Sequence, residues 1–490
     1  MTTRIITLLN LLLRCRMFRS SGIASLLAVL LTSGVSAETL QQALRDAYRY
    51  NPVLDSQRAQ LRATDEQVPI ALSGYRPIVT GTADAGYDMR RIKPNAQGSQ
   101  SGLQSETHPR GYAVTGTQPI FDGFQTLNTV RVAEASVREG RANLVIVESQ
   151  VLLDASTSYV DVLRDQAIVR LQENNVVVLT RELKATQDRF AVGEVTRTDV
   201  AQAQARRAAA VSQLDLARGN LKTSRANFEQ VVGHPPSNLV VPPMPESLLP
   251  KSITDAQGIA TQENPNVVAA LYREQAARHT VDQLWGQLLP QVQVDASYSR
   301  RYDESESIDQ IDTTTVTGRV TWPIYQGGIV HAQVRQAKQT HIARLQEVEQ
   351  FRAQATANIV TTWSQLTAAR AQLVSDMAQV EANQIALTGV REEERVGQRT
   401  VLDVLNAELE LVNSQVNLAI TRRNVLFSAY SVLSAMGRLT AERLALATEV
   451  YDPEAHYFEV RRKWGGLSIT RGDGRPEAVD EWNTQVRPSK

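Results

Sequence analysis

The 490 residues carry 52 basic and 52 acidic side chains and no formal net charge, which removes any electrostatic reason to expect a nucleic-acid partner. Aromatic residues make up 5% of the chain, few for a compact core of this length. Long Ala-, Val-, Leu- and Gln-rich runs instead suit extended helices with narrow apolar seams.

The N-terminus reads as a signal peptide over residues 1–37. Arg4, Arg14, Arg16 and Arg19 precede the apolar run "GIASLLAVLL", and Val35-Ser36-Ala37 fits a small-residue cleavage site between Ala37 and Glu38. That run is short for a membrane span. The single cysteine, Cys15, lies inside this segment, so the expected mature chain has neither a disulfide nor a cysteine for lipidation. Export beyond a bacterial inner membrane is implied. No later stretch is apolar enough for a spanning helix, so entry into a bilayer would require a closed β-barrel.

The rest of the chain is written twice. Residues 38–233 form one copy, 253–440 the second, and 234–252 a Pro-rich linker, "HPPSNLVVPPMPESLLP" within it, that cannot continue a helix. Asn51-Pro52 corresponds to Asn264-Pro265, and Pro77 to Pro290. "TQPIFDGF" matches "TWPIYQGG", and Val192-Gly193 matches Val396-Gly397. Residues 441–490 read as a polar, flexible tail.

Each copy changes its hydrophobic period along its length. Val292, Val294, Ala296 and Tyr298 alternate with polar residues, as do Val316, Gly318, Val320 and Trp322; Val79 to Tyr87 and residues 111–120 repeat the pattern more weakly. Such period-two segments suit a membrane barrel with a wet lumen, although any one strand alone would better suit an ordinary antiparallel sheet in a soluble domain. From about 124 to 189, and from 330 to 395, no proline interrupts the chain, which predicts two helices of roughly 100 Å. Shorter helices are expected at 198–231 and 402–435, with Leu402, Leu405, Leu409, Val412, Val416 and Ala419 as a heptad seam. Helices at 53–75 and 266–288 are expected to stack end-on and complete each column. The fold class is mainly α with a membrane β-barrel. Four strands per chain cannot close a barrel, because closed barrels begin at about eight. Chains must combine, and the sequence does not choose between two and three.

Between the long helices lie two near-identical turns. Gly193 and Gly397 suit a left-handed helix terminus, and Thr196-x-x-Asp199 and Thr400-x-x-Asp403 read as capping boxes. Helix capping alone accounts for both.

Taken together, "WPIYQGG", "VGQRTVLDVLNAE", "SAMG" and the duplicated order resemble the TolC family of outer-membrane efflux and secretion channels. "PIFDGF" and "YDPEAHYFEVRRKW" resemble its type I secretion branch. The resemblance implies a homotrimer with a shared twelve-stranded barrel in outer-membrane lipid and a helical barrel in the periplasm. It also implies a periplasmic adaptor and an inner-membrane transporter of ABC or RND type as partners. By position, the turns then become the tip where the tunnel closes and the adaptor docks, through Val192, Gly193, Thr196, Val396, Gly397 and Thr400. Arg399 resembles the gate arginine that links to Thr198 and Asp199, and Asp403 the first residue of a constricting acidic ring. Two positions depart from the family pattern. Asn406 stands where a second ring aspartate would be, and Glu394 replaces a gate tyrosine.

No motif supports an enzyme, and no cofactor or metal is expected. The histidines are scattered without metal-ligand spacing, and no phosphate-binding loop or nucleophile elbow occurs. The rival reading is a periplasmic coiled-coil scaffold or adaptor that conducts nothing.

Overall fold

The fold comes from a computed structural model, which describes residues 37–92, 103–305 and 307–469. The signal-peptide expectation therefore lies outside the described residues, apart from its boundary at Ala37. The first copy opens with α1 (Leu40–Tyr50), whose N-terminus is closed by a capping box between Thr39 and Gln42. Asn51 ends α1 and caps α2 (Pro52–Asp65), with proline at the first helical position, where its missing N–H costs nothing. The helix expected over 53–75 is broken here: α3 (Gln67–Leu72) and a short 3₁₀ turn at Ser73–Tyr75 complete it. Pro69 supplies the reason, since its ring clashes with the carbonyl four residues back, at Asp65. The second copy has no proline there. After α6 (Ile253–Glu263), its α7 runs unbroken over Pro265–Gly286.

The long helices are α4 (Gln125–Ala191) and α8 (Ile329–Arg395), 67 residues each, or about 100 Å at 1.5 Å per residue. Their return helices, α5 (Arg197–Val232) and α9 (Val401–Ala435), are about half as long. The missing length is made up by stacking. Asn51 Nδ2 donates to the Val231 carbonyl at 2.9 Å, and Asn264 Nδ2 donates to the Ala435 carbonyl at 2.8 Å. Each Asn thus caps the upper helix and ties it to the last carbonyls of the lower one. α4 packs against α5, α7 and α9, while α8 packs against α7 and α9, leaving α5 and α8 at the lateral edges of the wall.

The main core sits at mid-height, around Tyr159, Phe228, Leu433 and Met436. Tyr159 donates its hydroxyl to the Glu38 carbonyl at 2.8 Å and accepts the Val240 N–H at 3.0 Å, so the chain start and the linker are fastened together there. The tail corrects an expectation. Ala441 and Leu446 belong to this core, and α10 (Ala455–Val460) buries Tyr457 against Val68, Val130 and Val137. A few well-placed apolar residues dock a segment whose composition is polar. Residues 470–490 lie outside the described part.

The predicted seam of α9 is also shifted. Val401 and Leu405 pack towards Leu179, Ala203 and Ala210, whereas Val404 and Leu411 pack towards Leu387; Leu402 and Leu409 are at the exposed edge. A helix in a curved wall has a neighbour on each side and needs two seams rather than one.

The strands form one antiparallel sheet in the order β1 (Ile78–Ala85), β4 (Arg110–Phe121), β5 (Gln291–Ser305), β6 (Ile308–Thr321). β2 (Asp88–Ile92) and β3 (Leu103–Thr107) extend the first hairpin outward as a two-stranded ribbon. The register puts Val79, Val114, Ala296, Tyr298, Val316 and Val320 on one face. On the opposite face Thr117 donates to Asp295 at 2.9 Å, and Arg301 reaches Asp84 at 3.0 Å. Tyr112 and Tyr298 stand at the outer end of the apolar face, with ring centroids 6.3 Å apart, and Trp322 at the helical end. No helix among the described residues is long and apolar enough to cross a membrane.

Candidate functional site at the hairpin tips

Both tips are built alike. Gly193 has φ +82° and Gly397 φ +79°, with open space around each, so the demand for glycine comes from the backbone alone. Gly193 N–H donates to the Phe190 carbonyl and Glu194 N–H to Arg189; Gly397 and Gln398 repeat this with Glu394 and Glu393. This pairing satisfies the last carbonyls of the long helices. Thr196 then caps α5 and Thr400 caps α9, each within a complete capping box. Asp199 accepts from the Thr196 N–H at 2.9 Å and Asp403 from the Thr400 N–H at 3.0 Å. These backbone hydrogen bonds hold both carboxyls below the usual carboxylate range. Val192 and Val396 project from the turns, 72% and 67% exposed.

Arg399 is engaged within its own turn, its Nε donating to Glu393 at 2.9 Å, and Thr198 is exposed. Single-chain geometry thus brings neither Thr198 nor Asp199 to Arg399. The two departures from the family pattern both acquire partners on the other hairpin. Glu394 accepts from Arg189, and Asn406 accepts from Arg206 Nη2 at 2.8 Å. Arg189 also reaches Glu194 at 3.3 Å. One turn further in, Arg391 donates at 2.6 Å to Glu408, which is 4% exposed. Burial pushes the nearby Glu182 carboxyl up, and the charges of Glu408 and Glu394 push the same way. The sequence reading missed Arg189, Arg206, Arg391 and Glu408. Their signal was there, since Arg189 and Arg391 lie within two turns of each Val-Gly, but nothing local pairs residues from separate hairpins.

The site is therefore a charged, laterally cross-linked rim at the end of a long helical wall. It has an exposed valine on each turn and two carboxylates fixed in the ionised state.

The sequence and the fold agree with known proteins. The family described as "Outer membrane efflux protein" matches residues 41–234 and 258–438. The outer membrane efflux protein BepC of Brucella suis biovar 1 is 40% identical over 453 residues, covering 91% of this chain and 95% of its own. The outer membrane protein TolC of Escherichia coli K12 is 25% identical, with 83% and 84% covered. The crystal structure of the Campylobacter jejuni CmeC outer membrane channel superposes with a TM-score of 0.71 at 15% identity, covering 86% of this chain and 89% of that one.

Proposed function

This chain belongs to the outer membrane efflux protein family, and from that premise we propose that three copies close a channel running from the outer membrane into the periplasm. The carrying observation is the four-stranded sheet. The outer edges of β1 and β6 have no strand partner among the described residues, and the two strands run antiparallel to each other, so β6 of one copy can pair with β1 of the next. An open edge in lipid leaves backbone groups unpaired at several kcal/mol each, which closure removes. A barrel of about eight strands has an interior filled by its own side chains, so two copies would leave no conduit. Three give twelve strands and a polar lumen lined by the Asp295, Thr117 and Arg301 face.

The channel exports solutes, proteins or small toxic compounds, passed to it by an inner-membrane ABC or RND-type transporter through a periplasmic adaptor. The tips receive that adaptor, with Val192, Gly193, Thr196, Val396, Gly397 and Thr400 forming the docking surface. In the closed assembly Arg399 leaves Glu393 for Thr198 and Asp199 of the adjoining turn, and Asp403 with Asn406 lines the constriction. The Arg189–Glu394 pair takes the place of the missing tyrosine link. These assignments rest on position in the family pattern and on the two tips sharing one geometry.

Single-channel recording in planar bilayers tests them. Arg399→Ser raises conductance without altering oligomer yield, and Asp403→Ala lowers cation preference. Wild-type conductance and selectivity in both variants reduce the turns to helix caps. A soluble monomer on fractionation favours the scaffold reading.

A further inference from the structure

The docked tail carries a surface that the channel itself leaves unused. Leaving α10, the chain climbs α2 and α3 towards the sheet. His456 Nδ1 lies 3.1 Å from Asp65 Oδ2, and the Lys463 carbonyl accepts from Arg76 Nη1 at 3.0 Å. The Arg76 guanidinium stands 4.7 Å from the centroid of the Trp464 ring. Arg76 is two residues before β1, so Trp464 is held at the level where the strands begin. There Trp464 is 73% and Leu467 76% exposed. Arg462 beside them is exposed and has no ion-pair partner among the described residues, whereas Arg461 is engaged by Glu134 at 2.8 Å.

Two facts argue for what covers this surface. The helical end of the sheet also exposes Ile120, Trp322, Ile324 and Tyr325, so large apolar side chains lie bare at the level of the strand ends on the sheet as well as on the tail. An exposed arginine next to an exposed tryptophan is also the composition that suits a bilayer interface, where the ring sits at the headgroups and the cation meets phosphate. Resting on the channel reading, we propose that residues 462–469 are a second membrane contact in the periplasmic leaflet of the outer membrane. Trp464 and Leu467 lie at the headgroup–acyl boundary, and Arg462 pairs with the phosphate of an anionic phospholipid. The segment braces the rim of the barrel where rigid helices meet the strands.

The absence of cysteine after Cys15 makes the test direct. Leu467→Cys, Val316→Cys and Val241→Cys are labelled separately with a small fluorophore. Each assembled protein is placed in nanodiscs of phosphatidylethanolamine and phosphatidylglycerol doped with phosphatidylcholine brominated high on its acyl chains. The label at 316, on the lipid face of β6, and the label at 467 both lose fluorescence, while that at 241, in the linker, does not. Adding Trp464→Ala to the 467-labelled protein weakens its quenching. Quenching at 316 without quenching at 467 overturns the anchor and leaves the channel standing. Protection of position 467 by cross-linking to a neighbouring copy, with no quenching, likewise overturns it and gives the surface to the seam between copies. Loss of quenching at both 316 and 467 overturns the barrel placement and the anchor together.

Discussion

Placing an arginine at 294 is the perturbation whose cost the sheet defines best. Val294 pairs with Gly318, four residues from Trp322 along β6, and is itself four residues from Tyr298 along β5. At about 3.3 Å per residue these girdle positions stand roughly 26 Å apart along the strand, and a tilt near 40° reduces this to about 20 Å of depth. Val294 is therefore close to the bilayer midplane, where an arginine facing lipid costs about 2–4 kcal/mol. Three copies in one barrel lose about 6–12 kcal/mol, comparable with the whole stability of a typical domain. The control is not the neighbouring Asp295, which accepts from Thr117 and Gln293 and lies 3.5 Å from Arg319. Ser297, opposite Thr115 and Thr315 on the wet face, is the appropriate site. Val294→Arg should abolish most of the detergent-resistant oligomer recovered from outer membranes and lower the urea midpoint in vesicles. Ser297→Arg should do neither. Equal losses at both positions would refute the assignment of faces.

Asn264→Ala removes both the cap of α7 and the bond to the Ala435 carbonyl, and should destabilise the chain by about 2 kcal/mol; an unchanged thermal midpoint would mean that the columns are not joined there. Glu148 accepts the Ala441 N–H at 2.7 Å, and burial raises its pKa. Because the folded value is the higher one, its stabilising contribution is full in acid and is lost as pH rises through that raised value. Glu148→Gln should therefore raise thermal stability at neutral pH, with the gain shrinking as pH falls into the ordinary carboxylate range; a gain independent of pH would contradict this. Valine at both Gly193 and Gly397 should block co-purification of the adaptor while leaving the oligomer intact, because the left-handed turns are strained although nothing crowds them. Normal adaptor capture would move the docking surface elsewhere.

Much of this was legible in the sequence because it is local. Asn-Pro before α2 and α7, the Val-Gly turns and the Thr-x-x-Asp boxes each satisfy backbone groups within a few residues, so their chemistry is visible in short strings. The alternation of β5 and β6 was legible for the same reason. What was misread depends on neighbours remote in the chain. α9 has two seams because α4 and α8 flank it, and a single heptad register cannot represent both. The tail was read as flexible because its composition is polar, yet Leu446 and Tyr457 each enter a core that includes helices hundreds of residues earlier. The Arg189–Glu394 pair joins separate hairpins, and only their lateral packing reveals it.

The most direct measurement is a cryo-electron microscopy map of the full-length protein in lipid nanodiscs. Three copies should enclose one conduit, with twelve strands closed by β6 of each copy pairing with β1 of the next and the Val-Gly turns together at the far end. A particle whose β1 and β6 edges remain open, or whose sheet lies outside the bilayer, would contradict the account.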